Sequence, residues 1–324
     1  MNAVIQVQGL VKENGDLAAV AGIDFEVYEA EVFGFLGPNG AGKTTTINML
    51  ATLLRPTRGT AVLAGHDILA EPNGVRQSIG MVFQDPSLDD RLTAEENLQF
   101  HALLYDVPRR ERAGRIGQVL ELVGLAERRW SLVRTFSGGM KRRLEIARGL
   151  LHHPKVLFLD EPTAGLDPQT RNAIWGHVRR LRAEEGTTVF MTTHYLDEAE
   201  NCDRIAVIDH GRIQALDTPA ALKRRLGGDS IIVAGDKDLL GDLAARYGVP
   251  VREADGEFHF QVPNGAEFVP QVVMDFKGRI KSIQVKEPSL DDVFLHLTGR
   301  AIREEEGTSL DRMRQGVRMW TRRR

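Results

Sequence analysis

The stretch Gly37-Pro38-Asn39-Gly40-Ala41-Gly42-Lys43-Thr44-Thr45 restricts this chain more than any other, because it satisfies G-x-x-x-x-G-K-[ST] directly after the apolar run VFGFL. Its glycines let backbone N–H groups curl around an anion. Lys43 is placed to reach terminal phosphates, and the Thr44 hydroxyl to ligate Mg²⁺. The helix expected from about Thr44 adds its positive dipole end at the same point. A chance glycine turn could meet the pattern by itself, but its placement between a strand and a helix argues for a phosphate loop.

From the start to about Leu226, short β-branched and apolar runs alternate with helical patterns, which reads as a mostly parallel sheet covered by helices. Three runs matter most: IGMVFQ ends in Gln84, KVLFLDE in Asp160 and Glu161, and TTVFMTTH in His194. Each is nearly continuously apolar, as expected of a strand buried on both faces, and each turns polar at its carboxyl end, where open α/β sheets bind ligands. Residues 88–152 have a different character, charged and helical. Thr93 with Glu96 forms a capping box, and Ile116, Val119, Leu120 and Val123 recur at helical spacing, so the segment reads as a helical subdomain inserted into a domain spanning residues 1–226. IAVI, the turn Asp209-His210-Gly211-Arg212, and IQAL read as a hairpin.

Gly227-Gly228 reads as a linker, and the order of elements then changes. SIIVA, DLLGDLAARYG, VPVRE and EFHFQV around an Asp255-Gly256 turn, AEFVPQVVMDF and IKSIQV give β-α-β-β-α-β, a small ferredoxin-like α+β domain over residues 229–300 without cysteines for a cluster. Ser289 with Asp292 can cap a further helix, SLDDVFLHL. Residues 301–324 form a basic tail: from Arg312 onward there are six arginines and no acidic residue. Met313, Val317 and Trp320 fall there at i, i+4 and i+7, which fits either a solvated tail or a segment on an anionic membrane surface.

Whole-chain arithmetic removes other classes. At 324 residues and 42% hydrophobic content there is material for two domains and a large core, and the net charge of −3 argues against a general nucleic-acid binder. No apolar run approaches the roughly 18 residues of a membrane span, and MNAVIQVQGLVKENGD lacks a signal-peptide pattern, so a cytosolic chain is expected. The single cysteine, Cys202, cannot form an internal disulfide or a thiolate metal cluster and reads as a packing or partly exposed thiol. His152-His153 before Pro154 reads as a pair capping helix carbonyls rather than binding metal.

The remaining polar residues carry the chemistry. Asp160 and Glu161 stand side by side at a buried strand end, where ionised carboxylates are costly unless paired or bound to metal. Asp160 fits the Mg²⁺ side and Glu161 a general base that polarises water; a salt-bridged acidic loop is the alternative. Ser137 fits the N-cap of KRRLEIARGLL and leaves the N–H groups of Gly138 and Gly139 open, which gives either a second anion-binding helix terminus or an ordinary capped helix. Taken alone, His194 reads as a satisfied core histidine.

The order of these segments resembles the nucleotide-binding subunit of an ABC transporter over about residues 3–300. GPNGAGKTT resembles its Walker A loop, Gln84 its Q-loop, FSGGM its signature, VLFLDEP its Walker B, AGLD with Asp167 its D-loop, and His194 in TTHYLDEAE its switch histidine. The C-terminal segment ending in EPSLDDVFLHLTG resembles, more narrowly, the daunorubicin-resistance type of drug-export ATPase. The resemblance implies an ATPase that uses ATP with Mg²⁺ and dimerises head to tail with a second copy of itself. Ser137, Gly138 and Gly139 would then meet the γ-phosphate in trans, Gln84 would link Mg²⁺ and water to a membrane partner, and His194 would hold the γ-phosphate. It also implies a separate transmembrane permease, a peripheral place on the cytoplasmic face of the cell membrane, and export of a drug or antibiotic.

Two rival readings belong to other classes. A soluble ABC protein of DNA repair or translation usually carries two such domains or a long coiled-coil insertion, and neither is present. A low-turnover regulatory or sequestering module is suggested by the appended small domain and by Asn14, which stands where the family usually places an aromatic that stacks on adenine. Residues 1–24 contain no aromatic, so Tyr28 or a residue from elsewhere would have to fill the platform, or the site binds adenine weakly. Met140 stands where many members have Gln.

Overall fold

The computed structural model describes residues 2–299, apart from Asp16, Pro86, Lys237 and Asp255. The basic tail, with Met313, Val317 and Trp320, lies outside the described residues, as does Asp255 of the expected turn. The chain opens with a long hairpin, β1 (Ala3–Asn14) and β2 (Leu17–Tyr28), followed by β3 (Val32–Leu36), α1 (Lys43–Leu50), β4 (Arg58–Leu63), β5 (His66–Asp67), α2 (Pro72–Ser78) and β6 (Ile79–Val82). Three helices come next, α3 (Ala94–Leu104), α4 (Arg109–Leu122) and α5 (Gly138–Gly149). β7 (Val156–Asp160), α6 (Pro168–Glu185), β8 (Thr188–Thr193), α7 (Leu196–Ala199), β9 (Arg204–Asp209), β10 (Arg212–Asp217) and α8 (Pro219–Arg224) complete this part.

The central sheet has the order β10-β9-β3-β8-β7-β6, parallel except for the edge strand β10. β3, β7 and β8 are buried at every position, as strands covered on both faces must be. One cover is helical, drawn from α3 to α6; the other contains Phe25, Phe33, Phe35, Phe158 and Phe190, whose ring centroids lie 5.3–6.0 Å apart where they meet. β9 turns into β10 through His210 and Gly211, both at positive φ, as a two-residue hairpin with the native twist requires.

The second face is covered by an element the sequence reading did not separate. β1, β2, β4 and β5 form their own antiparallel sheet of order β2-β1-β4-β5 rather than joining the parallel one. Its strands carry alternating burial, with Ile23, Phe25 and Val27 inward and Asp24 and Glu26 outward along β2. That period of two is the signal of a sheet wetted on one face, and it distinguishes these strands from the continuous runs of β3, β7 and β8.

After Gly228 the chain forms β11 (Asp229–Gly235), α9 (Leu239–Tyr247), β12 (Arg252–Ala254), β13 (Glu257–Val262), α10 (Gly265–Asp275) and β14 (Ile280–Lys286). The sheet is antiparallel with the order β12-β13-β11-β14, which is the ferredoxin-like arrangement, and its core is a separate cluster around Val233, Leu243, Phe260 and Val272. The last helix, α11 (Leu290–Thr298), is capped by a reciprocal Ser289–Asp292 box. It does not join the small sheet's core. It packs on α8 and β10, and Leu290, Val293 and Phe294 are buried within the helical-side core of the first part.

Because Phe294 is 1% exposed in that core, Phe294→Ala should cost about 3–5 kcal/mol. Chemical denaturation should show the loss in the unfolding of the first part of the chain. If only the small sheet melts earlier, α11 does not anchor where it is placed.

Candidate functional site

The parallel register brings the strand ends level. Leu36 lies beside Thr193, and Asp160 beside Thr192, so the loop after β3 and the residues after β7 and β8 open on one spot. The phosphate loop folds there because two of its glycines cannot be replaced. Gly42 has φ 106°, and a Cβ on it would sit 2.5 Å from the Ala19 carbonyl oxygen; one on Gly37 would sit 2.3 Å from the Ile208 carbonyl oxygen. Gly42 is the N-cap of α1, so the amides of Lys43, Thr44 and Thr45 lack acceptors within the helix and face the loop.

Side chains converge on Glu161. Lys43 Nζ donates to the carbonyls of Gly37 (2.8 Å) and Pro38 (3.0 Å) and lies 3.2 Å from Glu161 Oε1. His194 Nδ1 lies 3.3 Å from the same oxygen, off the line of a good hydrogen bond, and Gln84 Nε2 reaches Oε2 at 3.5 Å, the outer limit of one. Burial by itself would raise the Glu161 carboxyl, but His194 beside it and the Lys43 charge outweigh that and hold it below its ordinary value. Burial pushes the Lys43 ammonium down by more than Glu161 returns, so the pair favours the carboxylate's charge more than the lysine's. Glu161 also has φ 45°, in the left-handed region, and its N–H donates to Thr192 Oγ1 at 3.0 Å.

Asp160 is buried. It accepts from Thr192 Oγ1 at 2.5 Å and from Thr44 Oγ1 at 3.3 Å. One hydroxyl and one carboxylate suit Mg²⁺, which keeps waters and substrate phosphates in its shell instead of an all-protein cage; among the described residues no group of three or more His, Cys, Asp or Glu could hold a metal.

Six of the residues singled out from the sequence therefore meet at one point: Gln84, Lys43, Thr44, Asp160, Glu161 and His194. Ser137, Gly138 and Gly139 do not join them through any hydrogen bond or ion pair among the described residues. Ser137 caps α5 by accepting from Met140 N–H at 3.3 Å, and Ser137 and Gly138 face solvent. Asp167 caps α6, accepting from Thr170 N–H at 3.0 Å. His152 Nε2 contacts the Ile79 carbonyl at 2.8 Å. Cys202 is buried, with its thiol pushed up by burial.

The tip of the first hairpin decides the adenine question. Asn14 pairs with Leu17 there, beside Ala19 and the phosphate loop, while Tyr28 pairs with Ala3 at the far end. That is roughly 36 Å away at about 3.3 Å per residue. Tyr28 instead lies 4.8 Å under the Arg204 guanidinium, so it does not fill the platform. Leu17 is the large apolar side chain at the tip and is 71% exposed.

Sequence reasoning missed the residues that brace this site. Buried Arg142 on α5 donates to the carbonyls of Pro162 (2.8 Å), Asp160 (2.9 Å) and Phe83, and pairs with buried Glu145 at 3.2 Å. One guanidinium thus joins the helix that begins at Ser137 to the segments carrying Gln84 and Glu161. Glu198, also buried, accepts from Thr193 Oγ1 at 2.6 Å and from Thr163 Oγ1, tying the residue before His194 to the loop after Glu161. Burial raises the Glu198 carboxyl. The signal available was charge within a helix that is otherwise apolar on the same side, because unpaired charges are almost never buried.

The family model for ABC transporters matches residues 20–164, and that for the C-terminal domain of DrrA1-3-like ATP-binding proteins matches residues 218–298. The linearmycin resistance ATP-binding protein LnrL of Bacillus subtilis is 40% identical over 312 residues, 93% of this chain and 100% of that protein. The daunorubicin/doxorubicin resistance ATP-binding protein DrrA of Streptomyces peucetius is 42% identical, covering 91% of this chain and 92% of its own. Among solved structures, cbiO1 of Clostridium perfringens, part of an ABC transporter complex, superposes with a TM-score of 0.65 at 28% identity, covering 76% of this chain and 97% of that one. The dimeric cassette MJ0796 bound to ADP and Pi does so at 0.60 and 27%, covering 66% and 98%.

Arg142→Met takes the guanidinium from the buried Glu145 carboxylate, which keeps only the Ser87 N–H among the described residues, and from the carbonyls of Phe83, Asp160 and Pro162, and should cost about 3–5 kcal/mol. Adding Glu145→Leu removes the buried charge but leaves those carbonyls without the guanidinium and the Ser87 N–H unpaired, so denaturant titrations should show only part of the loss restored. A single substitution with wild-type stability would show that the guanidinium braces nothing.

Proposed function

The chain belongs to the ABC transporter family of ATP-binding proteins and is an ABC-type ATPase, and from that premise we propose that it drives a separate membrane permease that exports a drug or antibiotic. The observation that carries this reading is a phosphate-loop site joined to a C-terminal domain of the kind found in daunorubicin-type resistance proteins. No described helix is long and apolar enough to cross a membrane, which fits a permease supplied by another polypeptide. A surface for it lies next to Gln84: an apolar groove of about 370 Å³ lined by Leu53, Met81, Phe83 and Tyr105, with Leu53 56% exposed. The chain would then sit peripherally on the cytoplasmic face.

The residues present give each step a carrier. Without nucleotide, Lys43 is held by Glu161; phosphate entering the loop offers Lys43 a stronger anion, and Glu161 loses the neighbour that suppresses its basicity. The freed carboxylate accepts the proton of the attacking water, while His194 and Gln84 orient groups beside it. Thr44 and Asp160 would hold Mg²⁺, which would supply positive charge against the charge developing on the phosphates. The open N-terminus of α5, with Ser137, Gly138 and Gly139, supplies anion-binding donors that its own site does not use, which supports a head-to-tail dimer in which two chains complete each site.

Glu161→Gln keeps the shape of the side chain and loses the base, so ATP binding should persist while turnover falls by about 10²–10⁴. On gel filtration with ATP and Mg²⁺ the variant should accumulate as a dimer. Wild-type turnover would remove Glu161 from the mechanism, and a monomer at saturating ATP would remove the composite site.

Asn14 at the hairpin tip offers adenine no ring. Base–aromatic stacking is worth roughly 1–3 kcal/mol and each 1.4 kcal/mol is about tenfold in affinity, so Asn14→Tyr should tighten ATP binding by about tenfold with little change in kcat. Wild type should also accept GTP measurably. Titrations with a fluorescent nucleotide check both; equal affinities in the two proteins would mean that another group fills the platform.

A further inference from the structure

The small sheet is covered by its own helices on one face only. Ile231, Val233, Phe258 and Phe260 turn toward α9 and α10 and are buried, and the period of two sends Ser230, Ile232, Arg252, His259 and Gln261 to the other face. That face meets no second sheet. It forms one wall of a cleft of about 760 Å³ whose opposite wall is Leu226, Pro288 and the Asp292, Leu295 and His296 side of α11, with Lys286 at its rim. Ser230, Arg252, His259 and Gln261 also line an adjoining cavity of about 340 Å³, completed by Pro250 and Phe260, in whose lining there is no acidic residue.

The polar groups there are uncommitted. Among the described residues the side chains of Arg252, His259 and Gln261 have no hydrogen-bond or ion-pair partner. The acids of the larger cleft stand at its α11 end: Glu287, and Asp292, which accepts from Ser289 N–H at 3.0 Å and Ser289 Oγ at 2.7 Å and lies 4.0 Å from Lys286. Among the described residues the lining of the smaller cavity therefore carries a guanidinium, an imidazole, an amide and a hydroxyl and no carboxylate, and Ile232, Leu226 and Leu295 give the larger cleft its apolar surface.

We propose that this cleft binds a small amphipathic anion, its carboxylate or phosphate head held by Arg252, His259 and Gln261 and its apolar body lying against Ile232, Leu226 and Leu295. Charge-assisted bonds to a guanidinium fix the head, and the partly exposed apolar stretch favours an amphipathic anion over a bare inorganic ion. The site is separate from the phosphate loop. Its occupant touches α11 on the side opposite Leu290, Val293 and Phe294, so it lies between the small sheet and the ATPase core.

Calorimetric titration of the full chain with octanoate, octyl phosphate and octylamine tests this. Saturable binding of octanoate or octyl phosphate, weakened at least tenfold by Arg252→Glu, is expected; the tighter of the two identifies the head group. Arg252→Glu should leave ATP affinity unchanged, which shows that the variant is folded. Equal binding of the anion by wild type and Arg252→Glu, octylamine binding as tightly as octanoate, or no saturable binding of either anion would overturn the proposal.

Discussion

The arrangement depends on one carboxylate held in a costly place. Glu161 is a non-glycine residue at φ 45°, which costs of order 1–3 kcal/mol, at the end of a strand buried along its length. It stays ionised there because Lys43 lies 3.2 Å away and His194 3.3 Å away. Three further contacts hold the turn: Thr192 takes the Glu161 N–H, Arg142 takes the Pro162 carbonyl, and Glu198 takes the Thr163 hydroxyl. Each comes from a different element, β8, α5 and α7, so the strained residue is fixed by the packing of the whole domain.

The same bracing ties α5 to the strand ends that carry Gln84, Asp160 and Glu161. Arg142 stands on the second turn of α5 and its guanidinium reaches carbonyls on both sides of the site, at Phe83 and at Asp160 and Pro162. A displacement of the Gln84 segment moves Phe83 and therefore loads the helix whose N-terminus is Ser137. Buried hydrogen bonds in a low-dielectric setting make such a link stiff, because breaking any one of them leaves an unsatisfied carbonyl or charge. The groove beside Phe83 is thus linked to the Glu161 turn and to the N-terminus of α5 through one side chain.

What the sequence made legible follows from how far each signal reaches. The phosphate loop, the continuous runs ending in Gln84, Asp160 and His194, and the capping boxes at Thr93 and Ser289 are local, and each appears where expected. The antiparallel sheet of β1, β2, β4 and β5 went unseparated because alternation marks a half-exposed strand without naming its partner. Arg142, Glu145 and Glu198 were missed because composition assigns charge to the surface, and only the fold reveals that carbonyls at Phe83 and Asp160 converge on one guanidinium. Tyr28 was entertained as an adenine platform from its nearness in sequence; a twelve-residue strand places it at the wrong end.

The helix SLDDVFLHL shows the same limit and carries a structural consequence. The Ser289–Asp292 cap announces the helix, but a cap cannot say which core receives it. Leu290, Val293 and Phe294 enter the ATPase core beside α8 and β10, so the chain returns from the small sheet to that core. At the point of exit Gly227 and Gly228 adopt φ 96° and 105°, and a Cβ on Gly228 would sit 2.2 Å from the Val262 carbonyl oxygen, so the chain turns sharply as it enters the small sheet. The Val262 carbonyl belongs to β13, so this turn packs on the small sheet itself, while α11 is the element that packs into the ATPase core. The cleft between the sheet and α11 therefore lies between the small domain and an element buried in the ATPase core.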